Sequence, residues 1–204
     1  MNNGYIDINE VSLIGTITDI ITTFETPDGT PFTTATLLVQ RTSGAYDYTT
    51  LTLPGTPDQY QTNKKYLVEG QYRTYTREGH LEQRVYVKNI SIVDHDTPDH
   101  NTFTFTGTLV TTKPYRLTPF GKTVGDIVVA VNSGTRTAYI PCVTWGISAR
   151  YITAQPTGTR LHCKARVQSR PYKKTTIVDN EEVTTDRLAY EVSIMDMEVI
   201  DREQ

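Results

Sequence analysis

The sequence predicts an all-β protein of two five-stranded barrels in tandem, the second with a short helix between its third and fourth strands. Three observations carry this expectation. Thr, Val, Ile and Tyr recur throughout the 204 residues, Gly and Pro punctuate short runs, and no window keeps a 3.6-residue apolar period. The length suits two domains of about 100 residues each. The chain also repeats itself, and a repeat fixes architecture before any motif is read.

The repeat places each element. Asn9-Glu10-Val11-Ser12-Leu13-Ile14-Gly15-Thr16 aligns with Asn101-Thr102-Phe103-Thr104-Phe105-Thr106-Gly107-Thr108 at an offset of 92, giving a first strand with a glycine in its middle. Hairpins at Thr26-Pro27-Asp28-Gly29 and Thr118-Pro119-Phe120-Gly121 follow, then second strands over 35–39 and 127–131. Third strands align Tyr48 with Tyr139, and fourth strands align Gly70 with Ala165. Between these, residues 147–154 read as a helix in the second copy, whereas 54–58 read as a loop in the first. A hairpin with Asp179-Asn180-Glu181-Glu182 at its turn leads to the closing strand. Five strands with an insertion between the third and fourth are the order of the OB fold. Residues 1–94 make the first domain, the polar stretch 95–100 around Pro98 a linker, and 101–204 the second domain.

The net charge of −3 conceals an asymmetry. Residues 1–100 hold seven basic and 13 acidic side chains, the remainder 13 basic and ten acidic, and a basic half points to a polyanionic partner. No apolar run approaches the roughly 18 residues of a membrane span. Met1-Asn2-Asn3-Gly4 lacks the layout of a secretory leader, so a cytoplasmic protein without a membrane role is expected. Cys142 and Cys163 match no redox or zinc spacing and read as reduced, buried residues. His95-Asp96-x-x-Asp99-His100 has metal-ligand residue types but sits in a short polar segment, and a solvated role is expected. There is no phosphate-cradling glycine loop, no carboxylate couple and no Ser-His-Asp set, so neither an enzyme nor a cofactor is expected.

The fourth strand of the second copy is the most informative stretch. A strand sends alternate side chains to opposite faces. Leu161, Cys163, Ala165, Val167 and Ser169 make a core face, while Arg160, His162, Lys164, Arg166, Gln168, Arg170 and Tyr172 make a basic ladder that Lys173 and Lys174 extend. The third strand puts Tyr139 and Trp145 on one parity. Sequence-independent binding of single strands needs rings on which bases stack, beside cations that follow the phosphates. Tyr139, Trp145 and Tyr172 are candidate platforms, although a packed Trp145 remains open on residue type alone.

The strings Thr118-Pro119-Phe120-Gly121-Lys122, Asp126-Ile127-Val128-Val129-Ala130-Val131-Asn132, Tyr139-Ile140-Pro141-Cys142-Val143-Thr144-Trp145-Gly146, Ala165-Arg166-Val167-Gln168-Ser169-Arg170-Pro171-Tyr172 and Ala189-Tyr190-Glu191-Val192-Ser193 resemble the OB domain of bacterial and phage single-stranded-DNA-binding proteins. The resemblance is nearest to the two-OB versions of Gram-positive bacteria and mobile elements. It implies non-catalytic binding of single-stranded DNA in replication, recombination or transfer, with stacking on Tyr139, Trp145 and Tyr172. Arg116, Phe120 and Lys122 in the hairpin join the candidate contacts. The family usually has Gly where this chain has Ala165. Many members also end in an acidic, aromatic tail, whereas this sequence stops at Asp201-Arg202-Glu203-Gln204, so recruitment by such a tail is not implied. Replication or recombination proteins and self-association stay open as further partners.

The first copy resembles the family more weakly, through Tyr48 and Gly70-Gln71-Tyr72-Arg73-Thr74-Tyr75. Glu69 stands where the second copy has Lys164, and Pro54 where it has Trp145, so this copy is expected to be auxiliary, with Tyr48, Arg41, Arg73 and Tyr75 as its contacts. An adaptor that docks proteins, or an RNA or oligosaccharide binder, are the alternatives an OB fold leaves open.

Overall fold

The computed structural model describes residues 6–134, 136–178 and 181–200, leaving aside the side chains of 177, 178 and 181. The N-terminal residues read for a leader, the turn at Asp179-Asn180 and the terminal Asp201-Arg202-Glu203-Gln204 lie outside the described residues. The strands are β1 (Asn9–Glu25), β2 (Pro31–Gln40), β3 (Tyr46–Pro54), β4 (Lys65–Arg77), β5 (His80–Ile92), β6 (His100–Thr112), β7 (Arg116–Leu117), β8 (Thr123–Asn132), β9 (Thr137–Trp145), β10 (Arg160–Val178) and β11 (Glu181–Ile200). The helix α1 spans Gly146–Thr153, as expected, and buries Ala149 and Ile152. The loop expected over 54–58 instead runs into a single 3-10 turn, Pro57–Gln59, because Pro57 presets the helical φ at the first position.

Strand pairing closes on itself twice. In the first half β1 pairs with β2 and β4, β2 with β3, β4 with β5, and β3 runs parallel to β5. In the second half β6 pairs with β8 and β10, β8 with β9, β10 with β11, and β9 runs parallel to β11. The two-residue β7, paired with β8, is an addition to the five strands expected there. Closure forces β1 and β6 to serve two partners each. A Cβ at Gly15 would lie 2.4 Å from the Leu38 carbonyl oxygen, and one at Gly107 would lie 2.7 Å from that of Ala130. Only glycine admits that approach, and a bulge follows at Ile17/Asp19 and at Leu109/Thr111, where each strand bends round the barrel.

The two halves share more than a connection. β1 and β6 pair antiparallel with Val11 opposite Phe103, Asn9 opposite Phe105 and Leu13 opposite Asn101, so equivalent positions trade places about a local twofold axis. One apolar core runs through both halves. At its centre the Phe103 ring lies 5.3 Å from Tyr72 and 4.6 Å from Phe105. Asn9 clamps the backbone of Tyr72, accepting its N–H at 2.8 Å and donating to its carbonyl at 3.0 Å; Asn101 does the same to Val167 at 2.9 and 2.6 Å. These bonds satisfy backbone groups that lie past the last β1–β4 pair, Val11 with Gly70, and the last β6–β10 pair, Phe103 with Ala165.

The stretch expected as a linker is held to the first half, and its last residue, His100, already belongs to β6. Lys65 Nζ reaches Asp99 at 2.7 Å and the Thr97 carbonyl at 2.7 Å, and Asp99 also accepts the Gln40 N–H at 2.6 Å. His95 and Asp96 are fully exposed while Asp99 turns to Lys65, so the four metal-ligand types do not converge. No helix among the described residues is long and apolar enough to cross a membrane.

Candidate nucleic-acid interface

β9 alternates from Thr137 to Cys142, and Val143 and Thr144 are then both buried. Ala138, Ile140, Cys142, Val143 and Thr144 are buried, and Tyr139 and Trp145 face outward with 54% and 41% of their surface exposed. Trp145 is therefore not a core residue, and its indole N–H donates to Ser193 Oγ at 3.3 Å. Tyr172, on the extension of β10 beyond the barrel, is 40% exposed. The cysteines are free and buried, and burial pushes the Cys163 thiol up to about 12 and raises Cys142 as well.

The basic ladder divides. Lys164, Arg170, Lys173 and Lys174 are exposed, and Arg166 is half-buried with Nε donating to Gln168 Oε1 at 3.2 Å. Arg170 also reaches Glu191 at 3.8 Å, and two further members are engaged more closely by the protein. Arg160 pairs with the buried Asp7 at 2.5 Å and donates to Thr108 at 3.2 Å, while Asp7 also accepts from Thr106 and from the Asn132 N–H. Gln168 is buried and donates to Glu191 at 2.5 Å. Arg160 neutralises the buried Asp7 carboxylate and Gln168 hydrogen-bonds that of Glu191, so both side chains are engaged within the protein. In the hairpin Phe120 is 91% exposed, Lys122 is exposed, and Arg116 pairs with Asp126 at 3.1 Å in solvent.

Of the auxiliary residues, Tyr48 is exposed, and its N–H donates to Ser169 Oγ at 2.8 Å across the junction of the halves. Arg41 is committed to Asp47, with bonds of 2.5 and 2.7 Å that hold its guanidinium firmly charged, and Asp47 in turn accepts the Ser169 N–H at 2.9 Å. Arg73 lies over the Tyr86 ring, 3.8 Å from its centroid. Tyr75 is exposed, and burial of its hydroxyl together with a 2.8 Å bond to Glu82 pushes its pKa up to about 12.

The sequence reading missed the outward row of β5. Val85 and Val87 are core, so Arg84 and Tyr86 face out beside Arg73. Register equates Tyr86, opposite Thr52, with Ser193, opposite Val143. The Trp145 indole thus reaches the position that Tyr86 fills in the first half, and Pro54 does not leave that half without a ring. Alternation about Val85 and Val87 was the available signal.

Fold and surface together define a class: β-barrels that close through a parallel third-to-fifth pairing and carry outward aromatic rings beside cations. Within it, the chain is similar over 98% of its length to the wild-type single-stranded DNA binding protein from Thermus aquaticus, with 96% of that chain covered, a TM-score of 0.76 and 22% identity. A deletion mutant of the same protein gives a TM-score of 0.75 at 21% identity, covering 98% of this chain and 97% of that one. No family model and no curated protein matches the sequence.

Proposed function

We propose that this protein binds single-stranded DNA without catalysis and with little base preference, as two tandem OB domains that serve replication, recombination or transfer of DNA. The observation that carries this reading is that Tyr139, Trp145 and Tyr172 are all exposed in the half that also exposes Lys164, Arg170, Lys173 and Lys174. Rings stack on bases of any identity, and the cations displace the counterions of successive phosphates. The single-stranded DNA binding protein from Thermus aquaticus shares this fold almost end to end. In this reading the second domain carries most of the affinity, the protein is cytoplasmic, and it is one of the two-OB proteins of Gram-positive bacteria and mobile elements. Replication or recombination proteins and a second copy of the chain are its further partners.

Titration of the full chain with oligo(dT), duplex and oligo(U) at two salt concentrations tests it. Single strands should bind, affinity should fall steeply with salt, and Trp145 fluorescence should be quenched. Binding that is flat in salt, or a preference for duplex, would overturn it.

A further inference from the structure

The second half departs from the plan of the first in two adjoining places. In the first half β1 runs unbroken to Glu25, and the third and fourth strands are joined through a 3-10 turn on which Asp58 and Gln59 are exposed. In the second half the equivalent strand stops at Thr112, is interrupted by Lys113-Pro114-Tyr115 and resumes as β7, while α1 replaces the turn. Pro114 has no N–H to offer a ladder. The two departures touch: the Arg150 guanidinium of α1 lies 5.7 Å from the centre of the Tyr115 ring, within cation–π range.

α1 is seated through its inner face. Ala149 and Ile152 are buried, and a Cβ at Gly125 of β8 would lie 3.2 Å from that of Ala149, so the helix sits close on the strand. Ile147, Arg150 and Tyr151 are exposed on the other side, at spacings of three and four that make them neighbours on a helix surface. Beside them Tyr115 and Leu117 are exposed as well. The aliphatic members are the most open, Ile147 at 86% and Leu117 at 64%.

Aromatic rings and Arg around exposed apolar side chains are the composition of an interface centre. Ile147 and Leu117 have no ring on which a base could stack, so the patch suits a protein and not a nucleic acid. Charge sets the kind of protein. Residues 110–122 and 146–159 contain Lys113, Arg116, Lys122 and Arg150 and no Asp or Glu. The neighbouring Asp126 carboxylate is taken by Arg116 at 3.1 Å, and Lys113, Lys122 and Arg150 have no ion-pair partner among the described residues. Two copies of such a patch meeting about a twofold axis would set like charges against each other.

We infer that β7 and the outer face of α1 form a docking surface for another protein, taking an acidic segment whose apolar side chains cover Ile147, Leu117, Tyr115 and Tyr151 while its carboxylates face Arg150 and Lys113. The surface gives a place to the protein partners of the proposed function and rests on that part of the reading alone, since it requires no DNA.

The test pans a displayed library of random peptides against the immobilised full chain, with Ile147→Asp and Arg150→Gln as parallel baits. Enriched peptides are synthesised and titrated against all three proteins, each of which is also titrated with oligo(dT) and sized by light scattering. Both side chains are exposed, and an acid in the first turn of a helix is favourable, so circular dichroism should show the fold retained. The wild type should enrich peptides that combine Asp or Glu with Leu, Ile or Phe. Each variant should bind them about tenfold or more weakly, with affinity for oligo(dT) unchanged. No enrichment over the Ile147→Asp bait, or enrichment of basic or uncharged peptides, would overturn the surface. Self-association of the wild type that both variants abolish would assign the patch to a second copy instead, and a loss of oligo(dT) affinity in the variants with peptide binding intact would assign it to nucleic acid. A wild type that enriches the acidic peptides but binds no oligo(dT) keeps the surface and sinks the DNA-binding function alone. Should Ile147→Asp fail to fold, Leu117→Ser on β7 takes its place with the same outcomes.

Discussion

β3 and β9 bury and expose the same nine positions in the same order, yet they end in Pro54 and Trp145. The backbone repeats; the outer side chains do not. What the pair teaches is that a fold's repeat predicts where a binding residue can stand, not which strand supplies it. In one half the ring over the barrel comes from the end of the third strand, in the other from the fifth. The charges follow the same rule. The acidic half concentrates Arg73 and Arg84 where the basic half holds Gln168 and Glu191, so counting charges by half misjudges the local potential that a phosphate meets.

The strongest way to break the comparison is to treat the halves as separable. If they fold as one unit, Phe103→Ala, in the shared core, should destabilise the whole chain by about 3–5 kcal/mol. Urea unfolding followed by Trp145 fluorescence and by circular dichroism should then give coincident transitions. Two separated transitions would show that each half stands alone.

Trp145→Ala asks how much the second-half ring contributes. Removing it should weaken oligo(dT) binding by about 1–3 kcal/mol with little change in the unfolding midpoint, since the ring is 41% exposed. A large loss of stability with unchanged affinity would return Trp145 to a packing role.

A third experiment sharpens the backbone difference at the shared bulge. A Cβ at Gly70 would lie 2.2 Å from the Tyr86 carbonyl oxygen, whereas Ala165 carries one and stays buried. Gly70→Ala should cost about 1–3 kcal/mol through overpacking, and Ala165→Gly about 1 kcal/mol through chain entropy. Equal costs in chemical denaturation would mean that the two bulges are interchangeable. The smallest effect is electrostatic: Lys164→Gln should lower the slope of log affinity against log salt by about 1, while Glu69→Gln should leave it nearly unchanged.

Much of the fold was legible because backbone-determined residues mark it. Gly15 and Gly107 stand where a second strand approaches too closely for a Cβ, and the Thr-Pro-x-Gly turns set the first hairpins, so the offset of 92 survived low identity. The Tyr48–Tyr139 match was readable for the same reason, since strand parity is fixed by the pleat. What escaped depends on distant partners. Arg160 reads as a phosphate ligand until Asp7, 153 residues away, is brought to it, and Gln168 until Glu191 is placed across the hairpin. The outward row of Arg84 and Tyr86 was hidden because the fifth strand has no glycine or turn to anchor the repeat. The shared core was hidden because periodicity reports that a face is buried and not what buries it.

The antiparallel pairing of β1 with β6, centred on Val11 and Phe103, is self-complementary: each half offers the other the same edge. In a dimer of identical chains such an interface is isologous, and every substitution appears twice, once on each side of the axis. Joined in a single polypeptide, the halves escape that rule. Pro54 can stand against Trp145, and Arg84 against Glu191, without either choice being imposed on its counterpart. The covalent connection therefore supplies an asymmetry that a symmetric assembly of this barrel could not have, and a strand wrapped across the seam meets a surface with a direction.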